Sequence, residues 1–189
     1  MKVEELPPLP RSFYERPTTL VARELLGKVL VRRFEQVELR ARIVEVEAYL
    51  GERDQASHAR RGPTPRAAIM FGPPGRLYVY LIYGMHHCMN FVCETDGVAG
   101  AVLIRAAAAL DDETHSRALS GPGKLCAHLA IALAHKGLDL TARESELVVV
   151  DDGTRPRIAA SRRVGVEYAG AWARRRLRFY VPGHPSVSR

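Results

Sequence analysis

The amino-acid sequence predicts the α+β class, with a single domain in which a curved, mostly antiparallel β-sheet is flanked by helices. Segments rich in β-branched and aromatic residues recur along the chain, and most connections between them are too short for the helical crossovers of parallel strands. Amphipathic segments bounded by helix-end signals supply the helices. A length of 189 residues favours one domain, 1–189, which can bury a core without disulfide bonds.

The first third of the chain is predicted to hold an arm, a helix and two strands. Three prolines mark residues 1–12 as an irregular N-terminal arm. A helix then begins with Thr18 as its N-cap and closes at Gly27. The segments VLVRRF and VELRARIVEVEAYL follow as strands separated by a short polar turn.

The middle of the chain combines a long loop with three strands. Residues 52–76 are rich in Gly, Pro and Arg, and a loop of this length in a compact domain usually serves a function. The segments LYVYLIY and HCMNFVC flank Gly84 and Met85 as a β-hairpin, and AVLIRAAAA follows as another strand.

The last third is predicted to return to a helix and then to short strands. The segment PGKLCAHLAIALAHKG is expected to be helical, with Pro122 near its start and Gly137 at its end. ELVVV and LRFYV are predicted strands, with a turn of helix at YAGAWARR between them.

Composition restricts the compartment. No apolar run is long enough to cross a bilayer, and MKVEELPPLP lacks the apolar centre of a signal peptide. We therefore expect a cytoplasmic protein without a membrane partner, associated with the nucleoid if the source is bacterial. Three cysteines, Cys88, Cys93 and Cys126, are an odd number that indicates reduced thiols. A monomer is the default expectation.

Basic residues are concentrated near the end of the chain. Residues 155–189 hold nine arginines, with Glu167 as their one acid. Clustered guanidinium groups gain affinity for a polyanion by displacing its counterions, so this asymmetry indicates a surface that faces phosphates. Arginine also supplies 24 of the 28 basic residues in the whole sequence, and such a bias would explain the cluster without any nucleic acid.

One predicted strand carries two carboxylates on the same face. A period of two places Ile43, Glu45, Glu47 and Tyr49 on one face of ARIVEVEAYL and leaves the opposite face apolar. Two carboxylates about 7 Å apart could serve as the acid and base of a glycosidase. Alternating glutamates on a solvent-facing strand are also common, and spacing does not choose between Glu45 and Glu47.

The run LYVYLIYGMHHCMN places three tyrosines before a turn. Tyr83 lies at that turn, where its ring can project and stack on a nucleobase. Tyrosines in strands are also common because they pack in the core. The histidines and cysteines that follow, at 86–88 and 93, lack the spacing of a closed zinc site, so no metal is predicted.

The motif GPGK opens a predicted helix. Free N–H groups at a helix start, with Lys124 beside them, can hold a phosphate of DNA or RNA. A simple helix start accounts for the same residues. The longer loop of nucleotide-binding proteins is missing, so no cofactor is predicted.

Five long motifs occur in order between about residue 10 and the C-terminal end of the sequence. They are VEVEAYLGERDQASHARRG, MFGPPGRLYVYLIYGMHHCMN, VLIRA, GPGKLC and RVGVEYAGAWARRRLRFY. Together they resemble the alkyladenine (3-methyladenine) DNA glycosylase family. The resemblance implies an enzyme that hydrolyses the N-glycosidic bond of alkylated or deaminated purines in double-stranded DNA and leaves an abasic site. It also implies that neither a metal nor a diffusible cofactor takes part.

The resemblance assigns catalytic roles to three residues. Glu47 in EAY matches the general base that deprotonates the attacking water. Arg105 in VLIRA matches the arginine that positions this water, and the main-chain carbonyl of Val164 matches a further water contact. These roles require Glu47 to lie within reach of water in a cavity able to admit an unstacked purine.

The resemblance assigns substrate contacts to four more residues. Tyr49, His58 and Tyr80 match the side chains that enclose the extruded base. Asn90 in CMN matches the residue that disfavours guanine, because the exocyclic amino group would collide with it.

Contacts with DNA are expected from three residues. Tyr83 matches the residue that wedges into the duplex where the nucleotide left the stack, Met85 lies two positions beyond it, and Lys124 is expected to contact a phosphate. Departures from the pattern of many bacterial members occur at Arg60, Ala67 and His87.

Two other functions remain open from the sequence. A non-catalytic nucleic-acid-binding module with the same fold would account for the basic C-terminal part. A hydrolase of small sugars would use Glu45 and Glu47 but would leave Tyr83 and the arginines without a role.

Overall fold

The computed structural model describes residues 6–34, 37–110 and 119–188. Its architecture is α+β, as the sequence predicts: an eight-stranded antiparallel sheet curls into a half-barrel with a few helices against it. The strands are β1 (Val29–Phe34), β2 (Val37–Tyr49), β3 (Leu77–Ile82), β4 (His86–Val92), β5 (Ala101–Ala109), β6 (Leu147–Val150), β7 (Ala159–Ser161) and β8 (Arg178–Tyr180). The α-helices are α1 (Arg11–Tyr14), α2 (Thr18–Leu25) and α3 (Pro122–His128).

Strand β2 is the centre of the sheet. The strand order is β3-β4-β5-β2-β1-β6, and every pairing is antiparallel. One edge of β2 pairs with β5. The other edge pairs first with β1 and then, at Glu45–Glu47, with β8, to which β7 is added. The last part of the chain is therefore attached directly to the strand that carries both glutamates.

The two faces of the sheet are covered by different parts of the chain. Helices α2 and α3 pack on one face, where Leu25 and Leu125 join Val46 and Ala48 in the main core. The opposite face of β3, β4 and β5 is covered by the long loop, in a smaller apolar cluster that includes Met70. Because β-strands alternate faces, the residues between the core positions point to this second side.

A register irregularity in β2 changes one prediction. The pairing of β2 with β5 shifts between Ile43 and Glu45 and again between Glu45 and Val46, so Ile43 faces the main core together with Val46. The predicted face of Ile43, Glu45, Glu47 and Tyr49 is therefore wrong at Ile43. Irregularities of this kind reorient side chains near functional sites, and here Glu45 and Glu47 stay on the face opposite the helices.

Most of the predicted strands are present with small differences at their ends. The hairpin of β3 and β4 turns at residues 83–85, as predicted. The long loop contains no strand among its residues, and its backbone forms three short 3-10 turns, Gly51–Arg53, His58–Arg61 and Ala68–Phe71. The three cysteines are free and buried.

The N-terminal elements need two corrections. Thr18 is the first residue of α2 and not its N-cap: its amide and hydroxyl both donate to Glu94 Oε1, each at 2.7 Å. A carboxylate from a distant loop thus replaces the expected local cap. The arm is also more regular than expected, because Pro8 bridges Val150 in β6 and residues 11 and 12 already belong to α1.

The predicted helix over 122–137 is only half formed. Helix α3 ends at His128, and Ala130 adopts a left-handed conformation with φ +50°. The break lets Leu129 and Ile131 both enter the core, while Arg32 Nε donates to the carbonyl of Leu129 at 3.0 Å. Packing and this side-chain cap outweigh the helix propensity of the alanines. A single 3-10 turn, Leu133–His135, follows.

Two short elements lie near the end of the chain. Strand β7 was not expected from the sequence, because AAS and its neighbours carry no strand signal. The predicted turn at YAGAWARR is present as 3-10 turns over Glu167–Arg174, interrupted at Gly170 with φ +56°. This segment lies against the loop 51–61 through Ala56, Val166 and Ala169.

Candidate active site

A cavity of about 550 Å³ opens on the face of the sheet opposite the helices. Its size is typical of sites that admit a small organic molecule. Side chains from β2, β3, β4 and β5 form its floor, and the loop segments around residues 58 and 165 form its walls. Its lining includes Tyr49, His58, Arg66, Tyr78, Tyr80, Tyr83, Cys88, Asn90, Arg105, Val164 and Tyr168.

Glu47 lies directly beneath this floor. The Tyr49 hydroxyl donates to its Oε2 at 2.8 Å, and the amide of Val164 donates to its Oε1 at 2.8 Å. Arg105 Nη1 lies 3.3 Å from the same Oε1. All three residues that hold the carboxylate also line the cavity.

The position of Glu47 corrects one expectation. Its side chain is 0% exposed and does not itself line the cavity. The carboxylate is therefore covered, whereas its predicted role requires access to water. Burial raises the pKa of Glu47, and the nearby Arg105 and the Val164 amide oppose that rise. A carboxylate with a raised pKa is a stronger base than an exposed one.

Val164 contacts Glu47 through its main chain. The resemblance assigns the Val164 carbonyl to a water, which stays a prediction, and in the structure its N–H group donates to Glu47. Val164 lies in the loop between β7 and the 3-10 segment, next to Gly165 with φ +71°. The side chain is 42% exposed at the mouth of the cavity.

Tyr49 is held at both its ring and its hydroxyl. The Arg163 guanidinium lies over the ring, 4.7 Å from its centre, and is itself paired with Asp54 at 2.5 and 2.9 Å. Burial, followed by the negative charge of Glu47, raises the pKa of Tyr49 well above its ordinary value. The hydroxyl therefore stays protonated and donates a hydrogen bond to Glu47.

His58 and Tyr80 form a second aromatic wall. Their ring centres are 4.6 Å apart in an edge-to-face arrangement, and Arg66 lies 5.0 Å over the Tyr80 ring. His58 Nδ1 is 2.9 Å from the hydroxyl of Tyr78. Burial and then the positive charge of Arg66 and Arg60 lower the pKa of His58 to about 4, so its imidazole is neutral at pH 7.

Asn90 lies deep in the cavity and is almost fully buried. Its Nδ2 donates to the carbonyls of Tyr78 at 3.2 Å and Cys88 at 3.4 Å. Because the neighbouring strands hold the amide in this way, the side chain is a fixed part of the wall. Rigid walls discriminate between molecules of different shape.

The β3–β4 hairpin projects at the mouth of the cavity. Tyr83 is 86% exposed and has a left-handed backbone with φ +53°, which costs about 1 kcal/mol in a residue that is not glycine. Met85, on the same turn, is 69% exposed. Two large apolar side chains thus stand in solvent on a strained turn, an arrangement that suggests a contact surface.

The two other DNA-related features, Lys124 and the basic C-terminal part, fall in different places. Lys124 is exposed near the start of α3 and does not line the cavity, although Pro122 of the same helix does. Two arginines of the basic C-terminal part, Arg163 and Arg178, are paired with carboxylates inside the protein, and a third, Arg155, pairs with Asp151 at the surface. The charge available to phosphates is therefore smaller than the sequence count suggests.

Sequence reasoning missed several residues of the site. Tyr78, Arg66 and Tyr168 line the cavity, and Arg163 supports Tyr49 from beneath. Of these, only Tyr78 carried a signal, since it shares a strand face with Tyr80. At the departures from the family pattern, Ala67 packs in the apolar cluster that includes Met70, Arg60 lies 5.7 Å over the Tyr168 ring, and His87 pairs with β3.

Comparison with known proteins gives a consistent match over nearly the whole chain. The sequence model of the family described as methylpurine-DNA glycosylase (MPG) matches residues 12–185. A protein of Anaeromyxobacter dehalogenans strain 2CP-1 is 55% identical over 96% of this chain and 85% of its own length. A protein of Methanocella arvoryzae is 48% identical over 97% of both chains, and one of Legionella pneumophila strain Corby is 46% identical over 96% of this chain and 98% of its own. All three relatives are provisionally named 3-methyladenine DNA glycosylase.

A DNA glycosylase, an enzyme of DNA repair, is the class that the half-barrel, its cavity and these matches define. Within that class the chain belongs to the methylpurine-DNA glycosylase family. Among the described residues, no helix is long and apolar enough to cross a membrane. Within the same ranges no three His, Cys, Asp or Glu side chains are grouped so that they could hold a metal ion.

Proposed function

We propose that this protein flips alkylated or deaminated purines out of double-stranded DNA and hydrolyses their N-glycosidic bond, with Glu47 as the general base. The observation that carries the proposal is a buried carboxylate with a raised pKa directly under an aromatic cavity large enough for a purine. Glycosylases cannot reach a base inside the stack, so they extrude it at a cost of a few kcal/mol.

The aromatic side chains provide the binding energy. The rings of Tyr49, His58 and Tyr80 enclose the extruded base, and each stack on an aromatic ring contributes about 1–3 kcal/mol. Two such contacts offset the cost of extrusion. The ring of Tyr83 enters the gap in the duplex, with Met85 beside it, and keeps the base from returning.

Hydrolysis proceeds by attack of a water on the sugar C1′. Glu47 takes the proton of this water, which Arg105 and the Val164 main chain position. Since the carboxylate is covered by Tyr49, Arg105 and Val164, water gains access only when one of these contacts opens. A positioned general base contributes typically 10²–10⁴-fold in rate.

The reaction ends at an abasic site without strand cleavage. A glycosylase that also cleaves the DNA strand would need an amine nucleophile at the sugar. No lysine among the described residues lines the cavity, and Lys124 is exposed outside it. Lys124 serves instead as a phosphate contact. The substrate is damaged double-stranded DNA, and the enzyme acts as a monomer.

Replacement of Glu47 by Gln is the direct test. Glu47→Gln keeps the shape of the side chain but cannot accept a proton, so release of the free purine from an oligonucleotide with one lesion falls at least 10²-fold. Binding to the same oligonucleotide is retained. Release is measured by chromatography of the free base after single-turnover incubation, and binding by electrophoretic mobility.

Glu38→Gln is the matched control, because Glu38 lies on the same strand but pairs with Arg33 and Arg40 away from the cavity. It should release base at the wild-type rate. Unchanged release by Glu47→Gln would remove Glu47 from its role. Wild-type protein that binds DNA in a salt-sensitive way and releases no purine would instead indicate a nucleic-acid-binding module.

A further inference from the structure

A second carboxylate lies fully buried beside the proposed base. Glu45 Oε1 accepts hydrogen bonds from Arg105 Nε at 2.9 Å, from Arg178 Nε at 2.6 Å and from the Ser188 hydroxyl at 2.8 Å. Its Oε2 accepts one from the Ser188 amide at 2.6 Å. The resemblance to known glycosylases assigns no role to Glu45 or Ser188, and the four hydrogen bonds satisfy the carboxylate in its buried position.

Arg105 connects the two carboxylates. Its Nε donates to Glu45, its Nη1 lies 3.3 Å from Glu47 Oε1, and its Nη2 donates to the Ser188 hydroxyl at 3.1 Å. All three nitrogens of the guanidinium therefore have partners in different directions. A planar group held at three points has a fixed orientation, which a single ion pair would not give.

Ser188 is itself anchored. Its amide and hydroxyl donate to Glu45, and its carbonyl accepts from Arg178 Nη2 at 2.8 Å. The residue is 8% exposed, and Ser186 nearby is fully buried. Segment 184–188 thus reaches beneath the cavity floor and closes a network of five residues, Glu45, Glu47, Arg105, Arg178 and Ser188.

The charges of this network balance. Glu45 and Glu47 supply two carboxylates, and Arg105 and Arg178 supply two guanidinium groups. An unpaired buried charge is costly, so each member depends on the others. Without Glu45, Arg105 would lose the partner that holds it from the side opposite Glu47.

We infer that Glu45 and Ser188 are positioning residues that fix the Arg105 guanidinium against Glu47. This inference rests on the proposed role of Glu47 as the base. Neither residue touches the substrate, and both act through Arg105. Segment 184–188 is accordingly part of the catalytic apparatus and not only a covering of the sheet.

Ser188→Ala tests this with little disturbance of the fold. It removes the hydroxyl that bridges Glu45 and Arg105 but keeps the amide bond to Glu45. Small displacements of positioning groups cost up to about 10²-fold in rate, and we expect a loss of about 10-fold in single-turnover base release. Binding to lesion DNA and the melting temperature should remain at the wild-type values.

The pH profile separates positioning from a purely structural role. Arg105 opposes the raised pKa of Glu47, so a loosened Arg105 lets this pKa rise and moves the acidic limb of base release to higher pH. The charged and titratable groups that act on Glu47 from the surrounding strands are Glu45 and Tyr49 on β2, Tyr80 on β3, Cys88 on β4, Arg105 on β5 and Arg163 before the 3-10 segment. Ser188→Ala leaves all of these ionisable groups in the protein and removes only the hydroxyl that bridges Glu45 and Arg105.

Two further variants complete the experiment. Glu45→Gln keeps the shape but removes the charge, and should lower the rate by about 10²-fold with DNA binding retained. Ser161→Ala is the matched control, because its hydroxyl bonds to the carbonyl of Arg162 and not to Glu45. It should leave the rate and the acidic limb unchanged.

The outcomes are distinct. The inference would be overturned if the wild type releases base and Ser188→Ala has the same rate and the same acidic limb as Ser161→Ala. The proposed function would then remain intact. A rate loss in Ser188→Ala that is fully explained by a smaller fraction of folded protein would overturn the inference as well. Wild-type protein without base release would overturn the proposed function itself, and this inference with it.

Discussion

Tyr49 shows how one residue can link binding to chemistry. Its ring rests on Arg163 and lines the cavity, while its hydroxyl donates to Glu47 at 2.8 Å. A base that stacks on this ring presses on the group that covers the carboxylate. We therefore expect entry of the base and opening of the route to Glu47 to be coupled through this side chain.

Replacement of Tyr83 tests the wedge. Tyr83→Ala removes an exposed ring that interacts with DNA only where a gap opens in a duplex, so binding to duplex lesions should weaken more than binding to the same lesion in a single strand. Loss of one stack of about 1–3 kcal/mol predicts a decrease of roughly 5- to 150-fold for the duplex. Fluorescence anisotropy with both substrates measures the difference.

Val98→Ala is a suitable control, because Val98 is 50% exposed and does not line the cavity. Equal losses for single strands and duplexes in Tyr83→Ala would contradict the wedge. Tyr83→Ala is also expected to be no less stable than the wild type, since the Tyr83 ring has few contacts in the free protein.

Asn90 provides a test of selectivity. Asn90→Ser opens space in a wall that the carbonyls of Tyr78 and Cys88 hold rigid, and should raise release of guanine derivatives relative to adenine derivatives. A gain of about 1–3 kcal/mol corresponds to roughly 5- to 150-fold in the ratio. Competition between 7-methylguanine and 3-methyladenine in one mixture gives this ratio directly, and no change would place the filter elsewhere.

At the level of residues, the sequence could name candidates but not their contacts. The strand period placed Glu45 and Glu47 on one face correctly, and it did not distinguish them. What separates them is their partners: Ser188 and Arg178 for Glu45, Tyr49 and Val164 for Glu47. Those partners are more than a hundred residues away in three of the four cases, so no local pattern could have shown them.

Among the elements, the loop that follows β2 depends on one buried ion pair. Asp54 and Arg163 are both 0% exposed and join this loop to the segment before Val164. Asp54 Oδ1 also accepts from the amide of Ala56 at 3.0 Å. The pair therefore holds together two of the segments that form the cavity wall.

Asp54→Ala should be strongly destabilising. It leaves the Arg163 charge buried without its partner, which typically costs 3–5 kcal/mol of unfolding free energy. Urea denaturation measures the loss. Glu24→Ala is the control, since the exposed Arg16–Glu24 pair is worth about 0–1 kcal/mol. Similar losses in both variants would show that burial of the Asp54 pair has no special weight.

The elements also show where local signals fail. Strands with strong patterns, such as β3 and β4, were predicted nearly to the residue because side-chain alternation is a local property. The helix over 122–137 was overestimated because its second half is alanine-rich but must turn to bury Leu129 and Ile131. Strand β7 exists because β8 offers it an edge, a reason that lies outside its own sequence.

For the molecule as a whole, stability should depend on the protonation of His58. In the fold its pKa is lowered from 6.5 to about 4, mainly by burial, so the unfolded chain binds this proton more readily. Stability from this residue is thus fully present above about pH 6.5 and is lost as the pH falls through about 4. A shift of this size corresponds to about 3 kcal/mol.

Urea denaturation of the wild type and of His58→Asn at pH 7.5 and pH 4 measures this contribution. The wild type should lose more unfolding free energy between the two pH values than the variant does. Equal losses would assign the acid sensitivity to other groups, such as the carboxylates of Asp139 and Glu38, whose pKa values are lowered mainly by hydrogen bonds and ion pairs that oppose burial.

The closing of the Glu45 network has a consequence for synthesis of the protein. Glu45 meets Ser188 across 143 residues, so a nascent chain already carries its base and aromatic cavity residues long before the group that orients Arg105 has been translated. Contacts this distant in sequence form late in folding. The orientation of Arg105 should therefore be completed late in folding, after the strands that carry the aromatic cavity residues have paired.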